Sequence, residues 1–211
     1  MAEIAPGLTA AAFEAVNAYG LAGSSLAFLQ HSDTVTFKVT SGAATYLLRI
    51  HRPITEAMGG HGLDENAVRS ELQWLEALNE QTDAPVQRPV RNLDGELVTR
   101  VKLDAAGETY HCTVLSWLEG QPYLRDLERE ETAAQIGQIV GVLHQHARGW
   151  DLPAGFTRPQ RDSAYFERVL AALRPAAEDG RIAEGDFQQL GRSVSLLLEE
   201  LAGQPRDRQR E

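Results

Sequence analysis

The order of two hydrophobic periods constrains this chain more than any other feature it has. Between Ser25 and His51 three short runs carry β-type patterns, SLAFLQ (25–30), TVTFKVT (34–40) and TYLLRIH (45–51). Polar turns at His31–Asp33 and Ser41–Gly42 separate them. In the second run Val35, Phe37 and Val39 alternate with Thr36, Lys38 and Thr40, the pattern of a half-buried antiparallel strand. The third is more continuously apolar, through Leu47, Leu48 and Ile50, and reads as a central strand. Three strands this close in sequence make a meander. Beyond residue 118 only the helical period recurs, over 130–147, 161–177 and 184–202, with Gly149–Arg158 as a Pro-containing loop. Strands with one inserted helix first, and helices alone afterwards, define an α+β chain.

The remaining elements fit between these landmarks. Thr9 is placed to cap a short helix through AAAFEAVNAY that stops at Gly20. A Gly-rich loop, MGGHGLDEN (58–66), precedes the clearest helix, where Asp64 caps and Val68, Leu72, Leu75 and Leu78 follow at helical spacing through Asn79. Residues 85–92 are an extended connector, Asp94-Gly95 a turn before GELVTRVKL, and TYHCTVLSW (109–117) a further strand. Leu118 to Pro122 breaks the pattern, so the expected division is 1–118 and 119–211. The tail GQPRDRQRE is polar and expected to fray.

Composition narrows the function classes. Hydrophobic residues at 43% and charged residues at 24% are the values of a soluble globular chain. The net charge of −10 is spread over the whole chain, so no basic footprint for nucleic acid exists. One cysteine, Cys112, excludes an internal disulfide and suits a reducing cytoplasm. Glu3 and Pro6 are unlike a signal peptide, and no run reaches the ~20 apolar residues of a membrane span. The expected location is the cytoplasm. His144 and His146, two apart on a helix, face different directions and make a poor metal pair. His111 and Cys112 are strand neighbours on opposite faces, so a catalytic dyad is not expected. Trp74 and the leucines around it read as core. His51, at a strand end, reads either as a group near a phosphate or as an ordinary terminus.

The segments TFKV, YLLRIHRP, SELQWLEAL, LSWLEGQP, IGQIVGVLHQHARGW and LPAGFTRPQRD occur in an order and spacing that resembles the aminoglycoside phosphotransferase family. The resemblance is to its homoserine-kinase-like and stress-response-kinase-like branch and runs from about Tyr19 to Asp162. It implies a protein-kinase-like fold: an antiparallel-sheet nucleotide lobe with one inserted helix (1–118), a hinge, and a partial helical lobe (119–211). It also implies ATP as the bound nucleotide. Arg49 then stands where kinases carry a triphosphate-binding cation on the third strand, and Glu71 on the following helix is its partner. Without the resemblance both read as surface charges. The turn of Ser32, Asp33 and Thr34 would lie over the phosphates, although it lacks the kinase glycines and equally suits a plain hairpin. Ser116, Trp117 and Leu118 would form the hinge that reads the adenine edge, with Trp117 also readable as packing.

The family's catalytic segment, a H-x-D loop with a downstream Asn and then a metal-binding Asp, does not follow LPAGFTRP. HGLDEN (61–66) has the wrong spacing and place, and GDFQQ (185–189) reads as a helix start near Asp186. No catalytic or metal-ligating residue is therefore assigned, and Mg²⁺ is expected only if that segment is supplied. The resemblance implies transfer from ATP to a hydroxyl of a small molecule or protein, and this chain alone is expected to be inactive or nearly so. An ATP-binding module acting by association, and a remnant of a frameshifted gene, are the alternatives. The incomplete helical lobe is expected to self-associate or take a partner.

Overall fold

The structure is a computed structural model that describes residues 6–32, 34–51, 64–103, 108–120, 130–159 and 162–202. Asp33, the Gly-rich loop up to residue 63, Arg52, Pro53 and the polar tail lie outside the described residues. The described residues up to Arg158 form one compact unit, and those from Pro159 onward a second. Packing therefore groups the first post-hinge helix with the sheet.

The first unit opens with α1 (Pro6–Ala18) and three strands, β1 (Ser25–His31), β2 (Thr34–Ser41) and β3 (Ala44–His51). Then come α2 (Glu65–Gln81), β4 (Pro89–Val90), β5 (Thr99–Leu103), β6 (Glu108–Ser116) and α3 (Glu130–Gly149). Thr9 lies inside α1 and does not cap it: Pro6 occupies the first helical position, where its fixed φ and missing N–H cost nothing. Gly20 does end the segment, at φ +71, and a Cβ there would meet Leu93 at 3.2 Å. The sheet is antiparallel throughout in the order β1-β2-β3-β6-β4, with β5 also paired to β6. This places β3 in the interior, as its continuous apolar run anticipates.

Alternation along the strands sorts the side chains onto two faces. On one, Ala11, Ala12, Ala15 and Val16 of α1 pack with Val35, Phe37, Val39, Leu48, Ile50, Cys112 and Val114. On the other, Val68 and Leu72 of α2 pack with Leu97, Val98 and Leu115, and Leu47 and Leu75 border them. Trp74 is half-buried rather than core, because its indole turns toward α3.

The second unit contains α4 (Ser163–Glu178) and α5 (Glu184–Ala202). Asp162 caps α4 by accepting from Tyr165 N at 2.9 Å. Phe187 of α5 is buried, and Arg174 lies 5.3 Å from its ring centre. Asp186 stands in the first turn of α5, where a carboxylate is favoured by the helix dipole.

Candidate nucleotide site

Arg49 is carried by the interior strand on the face that looks toward α2. In register it lies between Thr36 of β2 and Thr113 of β6. α2 begins where Asp64 accepts from Ala67 N at 2.7 Å, and two turns later it presents Glu71 to the same face. Arg49 Nη1 donates to Glu71 Oε1 at 2.6 Å, with both side chains about one-fifth exposed. Glu71 Oε2 lies 3.2 Å from Arg158 Nη1. Burial alone would raise the Glu71 carboxyl, but Arg49 and then Arg158 outweigh it and hold the group below the usual carboxylate range. Arg49 is thus a cation fixed on the third strand, with its charge partly shielded from water.

The other residues singled out in the sequence distribute along β3. Ser32 and Thr34 flank the β1–β2 turn, where Ser32 N donates to Thr34 O at 3.1 Å. Thr34 is in register with His51, at the far end of β3. Ser116 is in register with Tyr46, near the other end, and Trp117 N donates to Thr45 O at 3.3 Å. Arg49 lies three residues from Tyr46, about 10 Å along the strand, and two from His51. The β1–β2 turn, Arg49 and Ser116 therefore follow one another along the length of β3. Ser116 is bound on several sides: its N donates to Arg88 O at 2.8 Å, its Oγ accepts from Arg88 N at 2.8 Å, and its O accepts from Gln87 Nε2 at 3.2 Å. Leu118 is exposed just beyond.

The structure adds groups that local pattern did not mark. Lys38 Nζ sits 4.6 Å from the centre of the Trp117 ring, so a second cation stands at the hinge end of the face. His51 is 3% exposed, its Nε2 is 3.2 Å from Thr113 Oγ1, and burial with Arg49 beside it lowers its pKa to about 3. Burial thus holds the ring toward its neutral form. Cys112 points to the α1 side, where burial pushes its thiol up to about 12 and makes it a poor nucleophile. His111 lies on the opposite face, 3.3 Å from Glu65. His146 accepts from Trp74 Nε1 at Nδ1 (3.2 Å) and lies 3.1 Å from Gln81 Oε1 at Nε2. Among the described residues no three His, Cys, Asp or Glu are grouped to hold a metal ion. Among them, too, no helix is long and apolar enough to cross a membrane.

Comparison with known proteins follows the same lines. The model of the phosphotransferase enzyme family (APH) matches residues 27–209, most of the chain and well beyond the segments noted in the sequence. A microcompartment-associated aminopropanol kinase is 28% identical with a TM-score of 0.60, over 73% of this chain and 45% of its own. An amicoumacin kinase, solved with AMP-PNP, Ca²⁺ and Ami, has a TM-score of 0.65 at 19% identity, over 85% of this chain and 49% of its own. A spectinomycin phosphotransferase, solved with ADP and spectinomycin, has a TM-score of 0.56 at 12% identity, over 92% and 58%. No curated protein sequence matches at a significant level. The chain thus spans about half the length of these solved structures. With the family model covering residues 27–209 and the sheet, helix and ion pair arranged as above, this chain belongs to the phosphotransferase enzyme family and has its kinase-like α+β fold.

Proposed function

We propose that this chain binds ATP on the β2–β3 face and contributes the nucleotide lobe (1–118) and hinge of a small-molecule hydroxyl kinase. The observation that carries the reading is the 2.6 Å Arg49–Glu71 pair, a cation on the third strand anchored by the next helix, as kinases use to hold a triphosphate. Arg in place of Lys gives a planar, permanently charged fork suited to two phosphate oxygens. The turn flanked by Ser32 and Thr34 lies over the phosphates in this reading. Ser116 N and Trp117 N are spent within the sheet, so Leu118 N is the next donor along the hinge for the adenine edge. Lys38 and Trp117 flank the base.

Among the described residues no three His, Cys, Asp or Glu stand together to form a magnesium site. Nor do the 211 residues contain a H-x-D loop with its downstream Asn, so the chain alone binds without transferring. The similar structures are named for aminopropanol, amicoumacin and spectinomycin, all small molecules, which favours a small-molecule acceptor over a protein hydroxyl. The cytoplasm, where ATP is abundant, is the matching location. A second reading, an ATP-binding module that acts by association, draws on the exposed Ile136, Val140 and Val142 of α3, a helix with no buried residue.

Calorimetric titration with AMP-PNP tests the binding reading. Saturable binding is expected, with a thermal stabilisation approaching about 2.7 kcal/mol at a hundredfold excess over Kd. Arg49→Gln is expected to weaken binding at least tenfold. No binding by the wild-type chain would remove the reading.

A further inference from the structure

α2 is gripped along a single stripe by the segment that follows the centre of α3. Ala67, Ser70, Glu71 and Trp74 fall at i, i+3, i+4 and i+7, and each meets a residue between His146 and Arg158. Trp74 Nε1 donates to His146 Nδ1 at 3.2 Å, and Thr157 N donates to the buried Ser70 Oγ at 3.0 Å. Arg158 Nη1 donates to Ala67 O at 3.1 Å and to Glu71 Oε2 at 3.2 Å. Trp150 and Phe156, whose rings pack edge to face at 5.1 Å, stiffen the loop that delivers Arg158.

The two oxygens of Glu71 are therefore divided, Oε1 to Arg49 and Oε2 to Arg158. A carboxylate held at one oxygen rotates about its last torsion, which is broad, whereas one held at both keeps a fixed plane. We propose that Arg158 is a positioning residue that fixes the Glu71 carboxylate so that Oε1 faces Arg49, and so sets triphosphate affinity without touching the nucleotide. This role rests on the ATP reading above. It acts through a bond to helix backbone as well as to the carboxylate, so it also fixes where on α2 the carboxylate stands.

Among the described residues the charged and titratable groups around Glu71 are few. Arg49 and the neutral His51 face it from β3, and Arg158 from the loop. One turn away on α2, Ala67, Val68, Trp74 and Leu75 carry no charge. Removing Arg158 leaves burial to raise the Glu71 carboxyl against Arg49 alone, so the acid limb of nucleotide binding moves to higher pH.

The experiment compares wild type, Arg158→Gln and Arg158→Lys in the 211-residue chain, titrated with AMP-PNP and with AMP between pH 3.5 and 8. Arg158 is two-fifths exposed, so both variants are expected to fold. Arg158→Gln should weaken AMP-PNP about two- to fivefold, the scale of one partly exposed charge pair. AMP, which lacks the outer phosphates, should bind as before, and the acid limb of AMP-PNP binding should move up in pH. Arg158→Lys, with a cation in reach of the same oxygen, should recover most of the loss. Unchanged AMP-PNP affinity in Arg158→Gln, equal weakening of AMP, or no recovery in Arg158→Lys would overturn the role while leaving the ATP reading intact. Failure of the wild type to bind would remove the ATP reading and this role together.

Discussion

At the scale of single residues, the site is defined by which charges burial allows. The Glu71 carboxyl is held below its ordinary range by Arg49 and then Arg158 beside it, and a half-buried pair broken on one side leaves an uncompensated charge behind. His51, two residues along the same strand, takes the other course and stays neutral. Its ordinary pKa of 6.5 falls to about 3 in the fold, so below pH 6.5 the unfolded chain binds a proton that the folded chain refuses. Stability from this group is complete above pH 6.5 and is lost as pH falls toward about 3, at roughly 1.4 kcal/mol per pH unit. Urea unfolding between pH 5 and 6.5 is expected to show that slope, and His51→Gln to remove it. Glu71 does not confuse the measurement. Its carboxyl is depressed from an ordinary 4.5, so its stabilisation is present above that value and lost only at lower pH. An unchanged slope in His51→Gln would mean that another group carries the acid sensitivity.

At the scale of elements, α2 is the part that links sequence to site most directly. Its cap, Asp64, and its buried row of Val68, Leu72 and Leu78 are visible in the sequence because capping and helical spacing are local. Asp64→Ala is expected to cost about 1 kcal/mol in urea unfolding, the usual value of a cap, and to loosen the first turns that precede Glu71. A loss under about 0.3 kcal/mol would show that Glu65 and its partners Arg69 and Arg100 hold the first turn without the cap. The strands were legible for the same reason, since Val35, Phe37 and Val39 alternate over a few residues. The start of α1 was not, because Thr9 and Pro6 both satisfy start rules and only packing decides between them. The pairing of Arg49 with Glu71 is anticipated by the resemblance and not by local pattern, since a 22-residue separation leaves no periodic trace. Arg158, 87 residues from Glu71, and the stacking of Lys38 on Trp117 are tertiary contacts that no local pattern announces.

At the scale of the whole molecule, the question is what a nucleotide face accomplishes by itself. In the reading proposed above, Arg49 would meet phosphates that carry much the same charge before and during transfer, and so would bind ground state and transition state almost alike. Such uniform binding raises affinity but not the rate of the chemical step. Acceleration comes from groups aimed at the transferring phosphoryl and at the acceptor hydroxyl, and in kinases these are the loop Asp and the metal-holding Asn and Asp. The 211 residues contain no such loop, and the chain spans about half the length of the solved kinases it resembles. Binding and transfer should therefore separate. With labelled ATP, magnesium and aminopropanol or spectinomycin, the pure chain is expected to give no labelled product above the protein-free control. The same preparation should saturate with AMP-PNP. Product formation that disappears in Arg49→Gln would show that the chain assembles a catalytic centre from residues not assigned to one. It would move the search for the acceptor base to the carboxylates nearest Arg49.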